Sequence, residues 1–264
     1  MDITILVATH KSYWMPKDSV YVPIQVGKAG KKSLGYLTDD TGDNISTKND
    51  NYCELTGIYW AWKNLHCDYI GLCHYRRYFG YDMYCQDTEK IKTTIFTRAA
   101  YENLLDTHDI ILPTISKIGN KLTVREEYER SHYGKDLKQA EYIIEKLYPE
   151  YKESLENVLN NRYIHYFNMF VMRKDLFDSY CQWLFTILFE LEASIDITSY
   201  DSYQKRVFGF LSERLFNVWL DKNKLNIVEA SVVSLEPEKS SIWKKLRYIL
   251  HRLCKRSENG RRKS

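Results

Sequence analysis

An unbroken apolar run occupies residues 3–8 and ends in Thr9-His10-Lys11. It is short and rich in β-branched side chains (Ile3, Thr4, Ile5, Val7), so it predicts a buried strand. An apolar first strand with polar residues at its carboxyl end is how open α/β sheets begin, and ligands collect at that edge. Residues 23–51 then lose the pattern. They are polar and punctuated by Gly27, Gly30, Gly35 and Gly42, which predicts a long loop of the kind that usually serves function. Residues 52–64 place Leu55, Ile58, Tyr59 and Trp62 at helical spacing. The next apolar run, 68–79, predicts a buried strand that leads into a basic end. Further along, helices are expected over 95–107, 125–160 (broken near Pro149), 175–192 and 208–221. Strands are expected over 108–113, 164–172 and 227–233. Strands that alternate with helices give an α/β sheet flanked by helices.

Composition narrows the class. Only 11 Gly and 5 Pro occur in 264 residues, which excludes collagen-like, low-complexity and disordered chains. The length supports a full core. The six cysteines show neither CxxC nor zinc spacing and read as reduced thiols of a cytosolic protein. No basic segment precedes the first apolar run, so a secretory signal is not expected. The densest apolar stretch, 183–191, contains Thr186 and Glu190 and is too short to span a bilayer.

Charge is uneven. Residues 240–264 hold nine Lys or Arg against one acid, a net of +8, while the rest holds 29 bases and 34 acids, a net of −5. A mildly acidic body argues against a nucleic-acid enzyme. Within the tail, Ile242, Trp243, Leu246, Ile249, Leu250 and Leu253 recur at three- and four-residue steps between basic residues. This predicts a basic amphipathic helix over 242–256, suited to the surface of an anionic membrane. The expected organisation is a domain over 1–239 and a basic tail over 240–264.

Four groups of residues can carry chemistry. Thr9, His10, Lys11 and Tyr13 follow the first strand and offer a hydroxyl, an imidazole, a cation and a ring to a nucleotide. Cys73-His74-Tyr75-Arg76-Arg77-Tyr78 ends a buried strand, and adjacent guanidinium groups bind phosphate bidentately without losing charge. Asp39-Asp40 with Asp43-Asn44 could hold Mg²⁺ or sugar hydroxyls, or form a solvated turn; Lys48 stands where an EF-hand loop needs Glu. Asn168 lies in an apolar strand and needs partners for its amide. Glu213 lies at the border of an apolar helix, where it could be salt-bridged or act as a general base. No GxSxG, HExxH, P-loop or GxGxxG is present.

Several segments resemble a known family: Val7-Ala8-Thr9-His10-Lys11, Tyr21-Val22-Pro23-Ile24-Gln25-Val26-Gly27, Asp39-Asp40-Thr41-Gly42-Asp43-Asn44-Ile45-Ser46 and Tyr52-Cys53-Glu54-Leu55-Thr56. Residues 68–79, Asn168-Met169-Phe170-Val171-Met172 and Gly209-Phe210-Leu211-Ser212-Glu213-Arg214-Leu215 extend the likeness over nearly the whole chain. They resemble bacterial capsule, exopolysaccharide and O-antigen glycosyltransferases, long catalogued as a domain of unknown function and including galactofuranosyltransferase modules. The resemblance implies a GT-A-like fold, a UDP-sugar donor carrying a hexose (galactose in furanose or pyranose form), a lipid-linked glycan acceptor and an inverting reaction. With the basic amphipathic tail, a peripheral enzyme on the cytoplasmic side of the cell membrane is expected. Many GT-A enzymes end the corresponding strand in Asp-x-Asp, which holds a divalent metal. Here the strand ends in His74-Tyr75-Arg76-Arg77. No cofactor is therefore expected, with Mg or Mn on Asp39 and Asp40 as the alternative. On this reading Glu213 is the first-choice base, with Asp196 and Asp201 behind it. His74, Arg76 and Arg77 face the diphosphate, Thr9, His10, Lys11 and Tyr13 hold the nucleotide, and Asp39, Asp40 and Asn168 meet the sugar. The rival readings are a non-catalytic nucleotide- or glycan-binding subunit of a partner transferase and a sugar-nucleotide hydrolase.

Overall fold

A computed structural model describes residues 1–81 and 87–236. The predicted tail helix and the whole basic tail, 240–264, lie outside the described residues. The first apolar run is strand β1 (Ile3–Thr9), and β2 (Tyr21–Gln25) and β3 (Leu37–Thr38) pair in parallel on its outer side. Two of the three arise inside or against the stretch expected to be loop. Pro23 and the glycines mask β2, whose place is set by its ladder with β1 rather than by local preference.

Helices α1 (Asn49–Tyr52) and α2 (Leu55–Asn64) replace the single helix expected over 52–64. They break at Cys53, whose φ is +54°. Strand β4 (Tyr69–His74) lies beside β1 and turns at Tyr75-Arg76 into β5 (Arg77–Gly80). After α3 (Thr88–Lys92) and α4 (Arg98–Leu105) come β6 (Ile110–Pro113) and the short β7 (Ser116–Lys117). The charged region expected to be helical forms α5 (Val124–Ser131), α6 (Gly134–Leu147) and α7 (Lys152–Leu159). A capping box between Thr123 and Glu126 starts α5. The strand expected over 164–172 is two strands, β8 (Tyr163–Ile164) and β9 (Phe170–Arg173). Helices α8 (Lys174–Ser194) and α9 (Val207–Asn223) and strand β10 (Ile227–Ser234) complete the described chain.

One mixed sheet organises these elements. β1 to β4 are parallel where they pair, whereas β9 is antiparallel to both β4 and β6, and β10 joins β5 to β6. Both faces are covered over its centre, so β1, β4, β6 and β9 are apolar on both sides, whereas β10 is half-exposed. Ile3, Ile5 and Val7 point to the layer that holds Tyr78, Phe79 and Tyr101, while Leu6 and Ala8 point to the layer of α2, α8 and α9. Gly71 allows the tight β4–β9 contact, because a Cβ there would come within 2.8 Å of a Val171 methyl. No described helix is long and apolar enough to cross a membrane.

Candidate functional site

A cleft of about 700 Å³ opens at the carboxyl ends of β1 and β4, the edge at which open α/β sheets bind ligands. Thr9 and His10 reach it from β1, and His74, Arg76 and Arg77 from β4 and β5. Glu54 reaches it from the break between α1 and α2, and Arg206 and Glu213 from the start of α9. The chain brings these together from positions up to 204 residues apart, through the β1–β4 ladder and the packing of α1 on α9. Gly209 permits the latter, since a Cβ there would stand 3.1 Å from the Cys53 thiol.

The cleft floor is a turn between β8 and β9. Phe167 and Asn168 both take positive φ, +82° and +51°. Such angles are unusual for a ring-bearing residue and are held by their surroundings. The turn points the Phe167 N–H at Glu213 Oε1 (2.9 Å) and its carbonyl at His74 Nε2 (2.7 Å). Asn168 Nδ2 donates to Glu54 Oε1 (2.8 Å) and to Ser212 Oγ (2.9 Å). Two carboxylates and one imidazole are thus aligned by a single two-residue kink.

Glu213 also accepts from Arg214 Nη1 at 3.0 Å. Burial pushes its carboxyl above the usual range, Arg214 opposes this, and the Glu54 charge adds to it. A raised pKa makes the deprotonated carboxylate a stronger base than an ordinary glutamate. On the opposite wall, Arg76 pairs with Glu236 at 2.6 Å, and Lys11 lies 3.7 Å from the same carboxylate. The Arg77 guanidinium lies 4.7 Å from the Phe167 ring centre. Burial, with Lys11 and Arg76 nearby, lowers the His10 pKa and favours the neutral ring.

The other expected site residues are engaged by other partners or lie outside the cleft. The Thr9 hydroxyl is committed to the 9–11 turn, donating to Lys11 O at 2.6 Å. Lys11 and Tyr13 gather around the Tyr75 ring instead of lining the cleft. Asp196 caps a turn at Thr198 and Asp201 caps the Gln204 turn; both are exposed and outside the cleft, so of the three candidate bases only Glu213 lines it. Asn168 stands behind Glu54, without lining the cleft itself.

Asp39 is fully buried and accepts from Gly27 N (2.7 Å), Lys28 N (3.0 Å) and the Ser46 hydroxyl. Asp40 pairs with Lys28 at 3.2 Å. A metal needs free, reachable carboxylate lone pairs; three donors already take three of about four on fully buried Asp39, and Lys28 holds Asp40, so this pair does not fit the alternative metal site. Asp39 staples the loop after β2 instead. Asp39→Asn leaves at least one of these donors unanswered. It is expected to cost about 2–3 kcal/mol, or a fall in Tm of about 4–12 °C for a domain of this size. Thermal melts with and without Mg²⁺ check this, and a metal-dependent rise in the Tm of the unmodified chain would contradict it.

The family model described as a domain of unknown function (DUF4422) matches residues 4–224. The chain belongs to this DUF4422 family. Among solved structures, the apo structure of the WbbM bifunctional glycosyltransferase is similar, with 35% identity and a TM-score of 0.84. The match covers 90% of this chain and 46% of that one, so the chain spans about half the length of the WbbM protein. No curated protein sequence matches it. Within this DUF4422 chain, Glu54 and Arg206 are cleft residues that the sequence reading assigned no role. Glu54 lay within the Tyr52–Thr56 segment, whereas Arg206 lay outside every segment singled out in the sequence.

Proposed function

We propose that the chain is an inverting GT-A-type glycosyltransferase. It moves a hexose, galactose in furanose or pyranose form, from a UDP-sugar to a lipid-linked oligosaccharide during surface polysaccharide synthesis. The observation that carries this reading is the cleft itself. Fixed cations on Arg76 and Arg77 line the same cavity as a Glu213 whose pKa is raised, in a fold similar to half of a bifunctional glycosyltransferase.

In the reaction, an acceptor hydroxyl oxygen attacks the anomeric carbon from the face opposite the UDP. A new C–O bond forms and the bond to the β-phosphate oxygen breaks, its electron pair leaving with UDP. Glu213 takes the hydroxyl proton. Arg76 and Arg77 receive the charge that develops on the diphosphate, in place of a metal. His74 holds the Phe167 turn, and through it the orientation of Glu213.

Incubation of the purified protein with UDP-sugars, with and without a lipid-linked acceptor, tests the proposal. UDP release that depends on acceptor is expected. Release without acceptor would make the protein a sugar-nucleotide hydrolase, and no release with any donor would leave a binding subunit.

The basic tail belongs to the same proposal and rests on sequence alone. Each Lys or Arg near an anionic surface contributes roughly 1 kcal/mol, enough for reversible docking of a +8 segment. Full-length protein is expected to co-sediment with anionic liposomes at low salt, and a chain ending at Lys239 is not. Equal sedimentation of both forms would remove the membrane from the proposal.

A further inference from the structure

Behind Glu54 and Glu213 the cleft continues into a smaller recess of about 220 Å³ between α5, the turn before α9 and α9 itself. Cys53, Glu54, Arg206 and Glu213 line both spaces. Resting on the transferase reading, we propose that this recess is the acceptor subsite and holds one sugar ring of the glycan, stacked on His132, Tyr203 and Phe210.

Three features point to a sugar. The first is an aromatic face: His132 stacks on Phe210 with ring centres 4.1 Å apart at 23°, and Tyr203 lies 5.0 Å from Phe210. Tyr203 is 53% exposed, an open ring edge rather than core. The C–H face of a sugar ring is apolar and packs on such a surface, whereas its hydroxyls need polar partners at the rim. Burial lowers the His132 pKa, which favours the neutral ring.

The second is the rim. Arg214 is 3% exposed, ion-paired to Glu127 and to Glu213, and its Nε has no hydrogen-bond partner among the described residues. Carboxylates and guanidinium groups in alternation can accept from and donate to vicinal hydroxyls.

The third is charge and size. The recess presents three carboxylates (Glu54, Glu127, Glu213) to two arginines, whereas the larger cleft presents four cations to three carboxylates. A diphosphate is therefore drawn to the cleft and a neutral sugar is tolerated in the recess. The recess volume equals about seven waters at about 30 Å³ each, which suits one ring and not a nucleotide. Glu213 stands at the junction, where an acceptor hydroxyl and a donor anomeric carbon would meet.

Saturation-transfer NMR with methyl β-galactoside and methyl β-glucoside, in the presence and absence of UDP, tests this together with steady-state kinetics. At least one glycoside is expected to bind alongside saturating UDP. Tyr203→Ala is expected to weaken glycoside binding and raise the acceptor KM by about tenfold, with the UDP Kd within twofold of the unmodified protein and with Tyr203→Phe restoring both. Glycosides that UDP displaces, or an unchanged acceptor KM in Tyr203→Ala, would overturn the subsite. Glycoside binding that Tyr203→Ala removes, in a protein that transfers no sugar, would uphold the recess and overturn the transferase reading alone.

Discussion

Glu213→Gln is expected to lower kcat by about 10²- to 10⁴-fold, the range for loss of a positioned base. The substitution preserves volume and one acceptor. It leaves either the Phe167 N–H or the Arg214 guanidinium facing an amide donor, which costs about 1–3 kcal/mol. Arg214 keeps its Glu127 partner, so the fold should survive. Assays well below the melting temperature therefore separate the chemical loss from the structural one. The pH profile provides an independent check. A base works deprotonated, so kcat/KM should fall as pH drops through the raised Glu213 pKa, at a higher pH than an ordinary glutamate would give. The Gln variant should lose that acid limb. Near-full activity with the limb intact would transfer the role to Glu54, the other carboxylate beside the Asn168 kink.

Arg76→Ala is expected to reduce kcat by on the order of 10²-fold or more, the effect of removing one preorganised donor to developing charge. Arg76→Lys should recover only part of this, because a point charge lacks the planar fork that grips two phosphate oxygens. The unmodified enzyme should retain its rate in EDTA. Abolition by EDTA with rescue by Mn²⁺ would overturn this assignment. The metal would then need ligands other than Asp39, whose oxygens already serve Gly27, Lys28 and Ser46.

The elements legible in the sequence are those whose local pattern and tertiary role agree. The 3–8 run, the long helices α8 and α9, and the apolar stretch before His74 all appear within a few residues of their expected bounds. What escaped is backbone geometry that no residue type announces. Cys53 at φ +54° and the Phe167-Asn168 pair at positive φ are not glycines, so residues 52–64 and 164–172 read as continuous elements. Those two breaks are where the cleft forms. Asn168 is visible as a lone amide in an apolar run, but nothing in the sequence links it to its partner Glu54, 114 residues away. Asp39 was misleading in the opposite sense. A carboxylate in a Gly-rich polar loop looks available for a ligand, yet burial requires it to answer the loop's own backbone N–H groups.

The bridge from Glu236 to Arg76 and Lys11 makes ligand uptake an ion exchange. At Arg76 the cleft wall does not wait as a bare positive charge, since an internal carboxylate occupies that cation until another anion arrives. Glu236 is about one-third exposed, and pairs of that kind are worth about 0–1 kcal/mol. The counter-anion therefore lowers the apparent affinity for a diphosphate by about fivefold at most. Under the proposed reaction, the same carboxylate returns to Arg76 as UDP departs, so that the spent nucleotide leaves a neutralised wall and the cleft is ready for the next round.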